Sequence, residues 1–222
     1  MKRFDILTIF PHSLDSYFNE SILKRAQTKK LISIKTHDLR AVAKDKHKTV
    51  DDKPYGGGPG MVMKIDIVHR ALQKLYPKPN KKTRVILLST RGRLYDQRQA
   101  KRLTKYDRLI LIAGHYEAID ARIDDFVDEK ICLGNFVLTG GELAAAAVID
   151  SLARLIPGVV GKAASVQDES FATFSNGRVN IEYPQYTRPF VYKKLKVPKV
   201  LLSGDHQKIG SWRRKKTKRR SV

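Results

Sequence analysis

Arg84-Val85-Ile86-Leu87-Leu88-Ser89 is a near-continuous aliphatic run closed at both ends by polar residues, the pattern of a strand buried on both faces, as in a parallel sheet. Thr90-Arg91-Gly92-Arg93 follows as a loop, and the polar stretch from about Asp96 to Leu103 reads as a helix. The same grammar then recurs. Arg108 to Ala113 is a second buried strand, Gly114-His115-Tyr116-Glu117 its loop, and Ala118 to Phe126 a helix. A third round begins with Ile131 to Leu133 and passes through a glycine-bracketed loop into a long helix from Gly141 to about Ile156, stopped by Pro157-Gly158. Strands alternating with helices predict an α/β fold with a mostly parallel sheet. The three loops should then share the carboxyl edge of the strands, where such sheets hold their ligands.

Toward the N-terminus, Phe4 to Phe10 and Leu31 to Thr36 read as strands, and a helix after Pro11 would carry Leu14, Tyr17, Phe18, Ile22 and Leu23 on one face. From Arg40 to Gly60 periodicity vanishes into charge, turn formers and glycine; a loop of that length in a compact domain is usually functional or disordered. A helix is expected from about Asp66 to Tyr76. After Gly161 the chain turns small and polar, and Lys162 to Asn176 reads as a linker. The segment from Trp212 to Arg220 reads as a helical or disordered basic tail.

Across 222 residues, 44 Lys and Arg stand against 22 Asp and Glu, a formal net charge of +22. That imbalance points to a polyanionic partner, nucleic acid ahead of an anionic membrane surface. Cys132 is the single cysteine, which excludes a disulfide framework and a cysteine-rich zinc site; it reads as a small buried hydrophobe. The histidines show no paired metal-ligand spacing, so no metal site is predicted from the residues. Neither G-x-G-x-x-G after a strand nor G-x-x-x-x-G-K-[ST] occurs, which excludes the common dinucleotide and P-loop sites. The basic start is followed by too short an apolar run for a signal peptide, and no window is apolar enough to span a bilayer, so a cytoplasmic location is expected.

Chemistry concentrates in Leu133-Gly134-Asn135-Phe136-Val137-Leu138-Thr139-Gly140-Gly141-Glu142. Gly134 is free to adopt backbone angles closed to other residues, Gly140 and Gly141 let main chain approach a ligand, and Glu142 opens a helix at its positive end. This is the candidate small-molecule pocket.

These motifs also form a collinear set. Pro54-Tyr55-Gly56-Gly57-Gly58-Pro59-Gly60-Met61, Leu88-Ser89 with Gly92, Gly114 to Asp120, Leu133 to Glu142, Arg154 to Val159 and Tyr186-Thr187-Arg188-Pro189 resemble the bacterial tRNA (guanine-37-N1)-methyltransferases, the TrmD family of the SPOUT superfamily. The resemblance runs from the first strand to about Trp212. It implies a trefoil-knotted, mostly parallel sheet with helices on both faces over residues 1–160, an interdomain linker over 161–176 carrying the catalytic base, and a small, shortened, mainly helical tRNA-binding domain over 177–222. It further implies a homodimer, no membrane association, S-adenosyl-L-methionine bound bent among the three loops, and Mg2+ as a second cofactor candidate.

Carried over residue by residue, the cofactor contacts fall on Leu88, Ser89, Gly92, Gly114, Tyr116, Glu117, Leu133, Gly134, Asn135, Phe136, Val137, Leu138, Gly140 and Gly141, with Ile131, Leu133 and Leu138 as apolar walls. N1 of guanine bears a proton, so methyl transfer needs a base beside N1 and a cation near O6. Arg154 takes the cation's place. The base falls on Glu169, where the family usually has aspartate, or on Asp168 after a one-residue slide. Thr90 stands where the family loop usually has proline. The basic run Arg213 to Arg220 would hold tRNA phosphates. Two alternatives accompany this reading: a catalytically weakened tRNA-binding protein of the same fold, and a methyltransferase acting on another RNA.

Overall fold

Five parallel strands make the centre of the first unit, in the order β2-β1-β6-β5-β8. They are β1 (Lys2–Thr8), β2 (Ile32–Asp38), β5 (Thr83–Leu94), β6 (Arg108–Ala113) and β8 (Glu129–Cys132). The structure, a computed structural model, describes residues 1–161, 169–171, 174–175 and 178–221. It divides into the units Met1–Gly161 and Lys162–Val222.

The aliphatic runs are buried on both sides, as their lack of alternation predicts. Ile86, Leu88, Leu109 and Leu111 join one core with α1 (Asp15–Phe18), α2 (Ser21–Thr28), α4 (Gln97–Leu103) and α5 (Glu142–Ala153). Val85, Leu87, Ile110 and Ile112 join the other, under α3 (Ile65–Leu75). Helices therefore cover both faces of the sheet. In α5, Ala144, Ala145 and Ala146 are buried, and such small side chains let the helix lie close to the strands.

Four local expectations change. The single helix after Pro11 is broken into α1 and α2, with Ser21 at a φ of 49°. Ala118 to Phe126 is not a helix. It is β7 (Ala118–Ile119) followed by a 3-10 stretch at Ala121–Phe126, because Val62 and Met63 of β4 (Val62–Met63) pair with Ala118 and Ile119 and the Asp120 side chain accepts from the Arg122 N–H at 3.0 Å. The aperiodic Arg40 to Gly60 run is pinned at its middle. Val50 is fully buried, its carbonyl accepts from the Lys64 N–H at 2.8 Å, and β3 (Asp51–Asp52) pairs antiparallel with β4.

The fourth change lies in the second unit, which is mixed rather than mainly helical. The sheet β13-β10-β9 combines β9 (Phe174–Ser175), β10 (Arg178–Ile181) and β13 (Lys218–Ser221). The hairpin β11 (Val191–Tyr192) and β12 (Leu195–Lys196) and the helix α6 (His206–Lys216) complete it. The basic end is thus half helix and half strand, since Lys218 to Ser221 pairs with Arg178 to Ile181. Among the described residues no helix is long and apolar enough to cross a membrane.

In the middle of β1 Asp5 is fully buried. Burial by itself would raise its pKa, but hydrogen bonds from His37, Arg3 and Arg108 outweigh it and hold the carboxyl at about 2. A depressed folded pKa contributes stability that is present above the unfolded value near 4 and lost as pH falls toward 2, here about 2 kcal/mol. Urea unfolding between pH 6 and pH 2 should therefore show Asp5→Asn less acid-sensitive than the parent by that amount.

Candidate active site

The middle of β5, where the expected Thr90 to Arg93 loop is instead part of the strand, and the carboxyl ends of β6 and β8 open into a cleft of about 340 Å³, lined by residues of all three expected loops. That is the lower end of the size range of small-molecule pockets. Leu88 and Ser89 of β5 enter with Thr90 and Arg91 of the first expected loop, Gly114, His115, Tyr116 and Glu117 come from the second, and Leu133, Gly134, Phe136 to Leu138, Gly140 and Gly141 from the third. Two of the loops are joined directly. The Gly141 N–H donates to the Gly114 carbonyl at 2.8 Å, and His115 bridges Gly140.

Close approach is what the glycines of this cleft provide. None of Gly134, Gly140 and Gly141 has a positive φ, contrary to the conformational role expected of Gly134. A Cβ at Gly141 would lie 2.7 Å from Ala113 Cα, and one at Gly134 would collide with the Phe136 ring. The left-handed conformation falls instead on Tyr116, with a φ of 59°. A non-glycine residue there carries strain of order 1–2 kcal/mol, and such strain gathers at functional sites.

Gly92 does not line the cleft. It lets β5 leave and rejoin β8: Leu88 and Arg93 both pair with Ile131, so Ser89 to Gly92 form an excursion. A Cβ on Gly92 would sit 2.5 Å from the Ile131 nitrogen. Asn135 is exposed and also lies off the cleft lining. Ile131, Leu133 and Leu138 line it together. Cys132 is buried at its edge, its thiol donating to the Gly134 carbonyl at 3.2 Å.

Sequence reasoning missed the Lys130 and Asp124 side chains, which line the cleft and pair at 2.5 Å. Asp124 lies in the 3-10 stretch and Lys130 in β8, so the pairing spans two elements and no periodic pattern marks it. It also missed that the glycine-rich run ends against the cleft. The Glu117 N–H donates to the Met61 carbonyl at 3.1 Å, and a Cβ on Gly60 would collide with the Glu117 carboxylate.

The residues present fit S-adenosyl-L-methionine. Apolar walls suit a planar ring, glycine-bracketed main chain suits its polar edge, and the Glu117 carboxylate suits an ammonium group. Arg154 is elsewhere. It is exposed at the C-terminal end of α5, a helix of 12 residues whose first turn abuts the cleft, so about 18 Å of helix lies between them. Glu169 belongs to the second unit and is half-buried, and Asp168 lies outside the described residues. No group of three or more His, Cys, Asp or Glu side chains gathers for a metal among the described residues.

Comparison with known proteins agrees with this geometry. The family model described as tRNA (Guanine-1)-methyltransferase TrmD matches residues 1–222. A tRNA (guanine-N(1)-)-methyltransferase of Desulfitobacterium hafniense is 48% identical over 219 residues, covering 99% of this chain and 81% of that protein. Proteins of the same description from Dehalococcoides mccartyi and Bacillus pumilus are each 47% identical, over 99% of this chain and 87% and 88% of theirs. With the family model matched from end to end, the chain belongs to the TrmD family of tRNA (guanine-1)-methyltransferases.

Proposed function

We propose that the cleft binds S-adenosyl-L-methionine and that the protein transfers its methyl group to N1 of guanosine 37 in tRNA. The observation that carries this reading is the convergence of three strand-end loops on one cleft, two of them stitched by the Gly141 to Gly114 hydrogen bond. When bound, the cofactor supplies an electrophilic methyl on a sulfonium. Glu169 removes the N1 proton, so that the freed electron pair can attack the methyl carbon as the carbon–sulfur bond breaks. The Arg154 guanidinium meets the negative charge that grows on O6. Mg2+, the other cofactor candidate, would draw ligands from water, cofactor or RNA as well as from the protein.

The trefoil knot implied by the family has support in the Ser89 to Gly92 excursion, where β5 passes against the backbone of Lys130 and Ile131. Phosphate contact by α6 and β13 is supported by Arg213 to Lys216 in the last turn of that helix and Lys218 to Arg220 in that strand. The homodimer is supported by the 12-residue α5 that separates Arg154 from its own cleft, and by Val137, 86% exposed, and Leu143, 62% exposed, beside the cleft. In a symmetric dimer a partner's Arg154 would serve the cleft.

Incubation with labelled cofactor and unmodified tRNA carrying guanosine at 36 and 37, followed by nucleoside analysis, tests the activity. 1-Methylguanosine at position 37 is expected. Binding without transfer would favour the weakened tRNA-binding protein, and methylation only of other RNA would favour the third reading. The shared site has its own test. Mixing inactive Arg154→Ala with inactive Leu138→Trp, which fills the cleft, should restore about a quarter of parental activity, because half the dimers then hold one intact site. No restoration would mean that each chain serves its own site.

A further inference from the structure

In the wall of the cleft one polar atom is left over. His115 Nδ1 is buried without a hydrogen-bond partner among the described residues, although buried polar atoms are nearly always paired. The rest of the residue is held on every side. Its N–H donates to Met63 Sδ at 3.2 Å, its main chain bridges Gly140, and Phe10 and Tyr116 stand edge-on to the ring at centroid distances of 5.0 and 5.3 Å.

The nearest carboxylate belongs to Glu142, whose Oε2 lies 3.9 Å from Nδ1. That is beyond hydrogen-bond length. Glu142 is itself only 8% exposed, and its Oε1 accepts from Thr8 Oγ1 at 2.6 Å. Thr8 thus fixes one carboxylate oxygen and leaves the other toward the imidazole. Gly140 is the residue that permits the approach, since a Cβ there would collide with both Glu142 Oε2 and His115 Nδ1.

A buried imidazole nitrogen in the second cleft loop and a buried carboxylate at the start of α5, held about 1 Å too far apart, make a contact that a small inward movement would complete. Resting on the reading of the cleft as the S-adenosylmethionine site, we propose that His115 and Glu142 form a latch that closes when the cofactor fills the cleft. The Nδ1–H then donates to Oε2 and fastens the Gly114 to Glu117 loop to the first turn of α5. Both act as positioning residues, and the bond they gain on closure is part of the cofactor's affinity, since a ligand shifts a conformational equilibrium only through its differential interaction with the two states. A hydrogen bond involving a charged group contributes enough to matter here.

Calorimetry of the full-length protein with S-adenosylhomocysteine tests the latch. His115→Ala and Glu142→Gln should each weaken binding roughly tenfold, and the double variant should bind no more weakly than either alone, as expected for two residues acting in one contact. His115→Asn, whose amide nitrogen reaches the place of Nδ1, should recover most of the affinity, whereas His115→Gln should not. In the parent, the ¹⁵N signal of His115 Nδ1 should move toward that of a hydrogen-bonded donor on saturation. Thermal unfolding of each variant separates lost affinity from lost fold. Binding by His115→Ala within twofold of the parent, or additive losses in the double variant, would overturn the latch while leaving the cleft reading intact. Parent-like binding by Leu138→Trp would instead remove the cleft reading and the latch with it.

Discussion

Glu169→Gln is expected to lower single-turnover methyl transfer roughly a thousandfold, the middle of the range for loss of a general base, while leaving cofactor affinity unchanged. Glutamine keeps the shape of the side chain and cannot take the N1 proton. With Glu169 proposed as the base, Asp168→Asn is expected to stay within about threefold of the parent. The preference for Glu169 comes from how its neighbours are held. The Glu182 N–H donates to Ser170 Oγ at 3.0 Å, and the Phe171 N–H donates to the Asn180 carbonyl at 2.8 Å. A one-residue slide that brought Asp168 into place would break both bonds to the β10 region. Quenched-flow measurement of 1-methylguanosine formation with excess enzyme decides between the two carboxylates. If the large loss follows Asp168→Asn, the assignment of the base moves there.

The other large effect belongs to Gly92, a residue off the cleft lining. Gly92→Ala should destabilise the protein by about 3 kcal/mol, the upper end of ordinary overpacking costs, and bring cofactor binding below detection in the same calorimetric titration. The added carbon would lie 2.5 Å from the Ile131 nitrogen and 2.6 Å from the carbonyl carbons of Lys130 and Ile131. Backbone cannot swing aside as a long side chain can. Retreat is also blocked, because β8 is paired with β5 both before and after the excursion. Gly57→Ala is the control, where nothing lies within 4 Å and only its φ of 81° resists the change. That variant should lose about 1 kcal/mol and keep its cofactor affinity. Urea unfolding with parental slopes would measure both, and a parental midpoint for Gly92→Ala would show that β5 and β8 separate more easily there than their pairing implies.

What could be read from residue order was whatever depends on local pattern. Val85 to Leu88 and Leu109 to Ile112 lack alternation because both faces are covered, so they announced a buried parallel sheet with ligand loops at its edge. The strand order is a different kind of fact. That β1 lies between β2 and β6 depends on contacts across the whole unit, which no local window contains. Ala118 to Phe126 misled for the same reason, since pairing with β4 overrides its helical pattern. The basic end misled because Lys218 to Ser221 gains its strand only beside β10. Within the site, the motifs named most of the lining. They could not reveal that Gly92 separates two backbones, nor that His115 and Glu142 face each other across Gly140.

The position of β1 also sets a timetable. Its Arg3 pairs with Arg108 of β6, so on the ribosome this strand cannot gain its inner neighbour until more than a hundred further residues have been made. At about 5–20 residues per second that delay is on the order of five to twenty seconds. Throughout it β1, whose Phe4, Ile6 and Leu7 are essentially inaccessible to water once folded, has β2 as its only paired strand. Early handling of this protein in the cell is therefore a question of what shields the open edge of β1 until β6 can close on it.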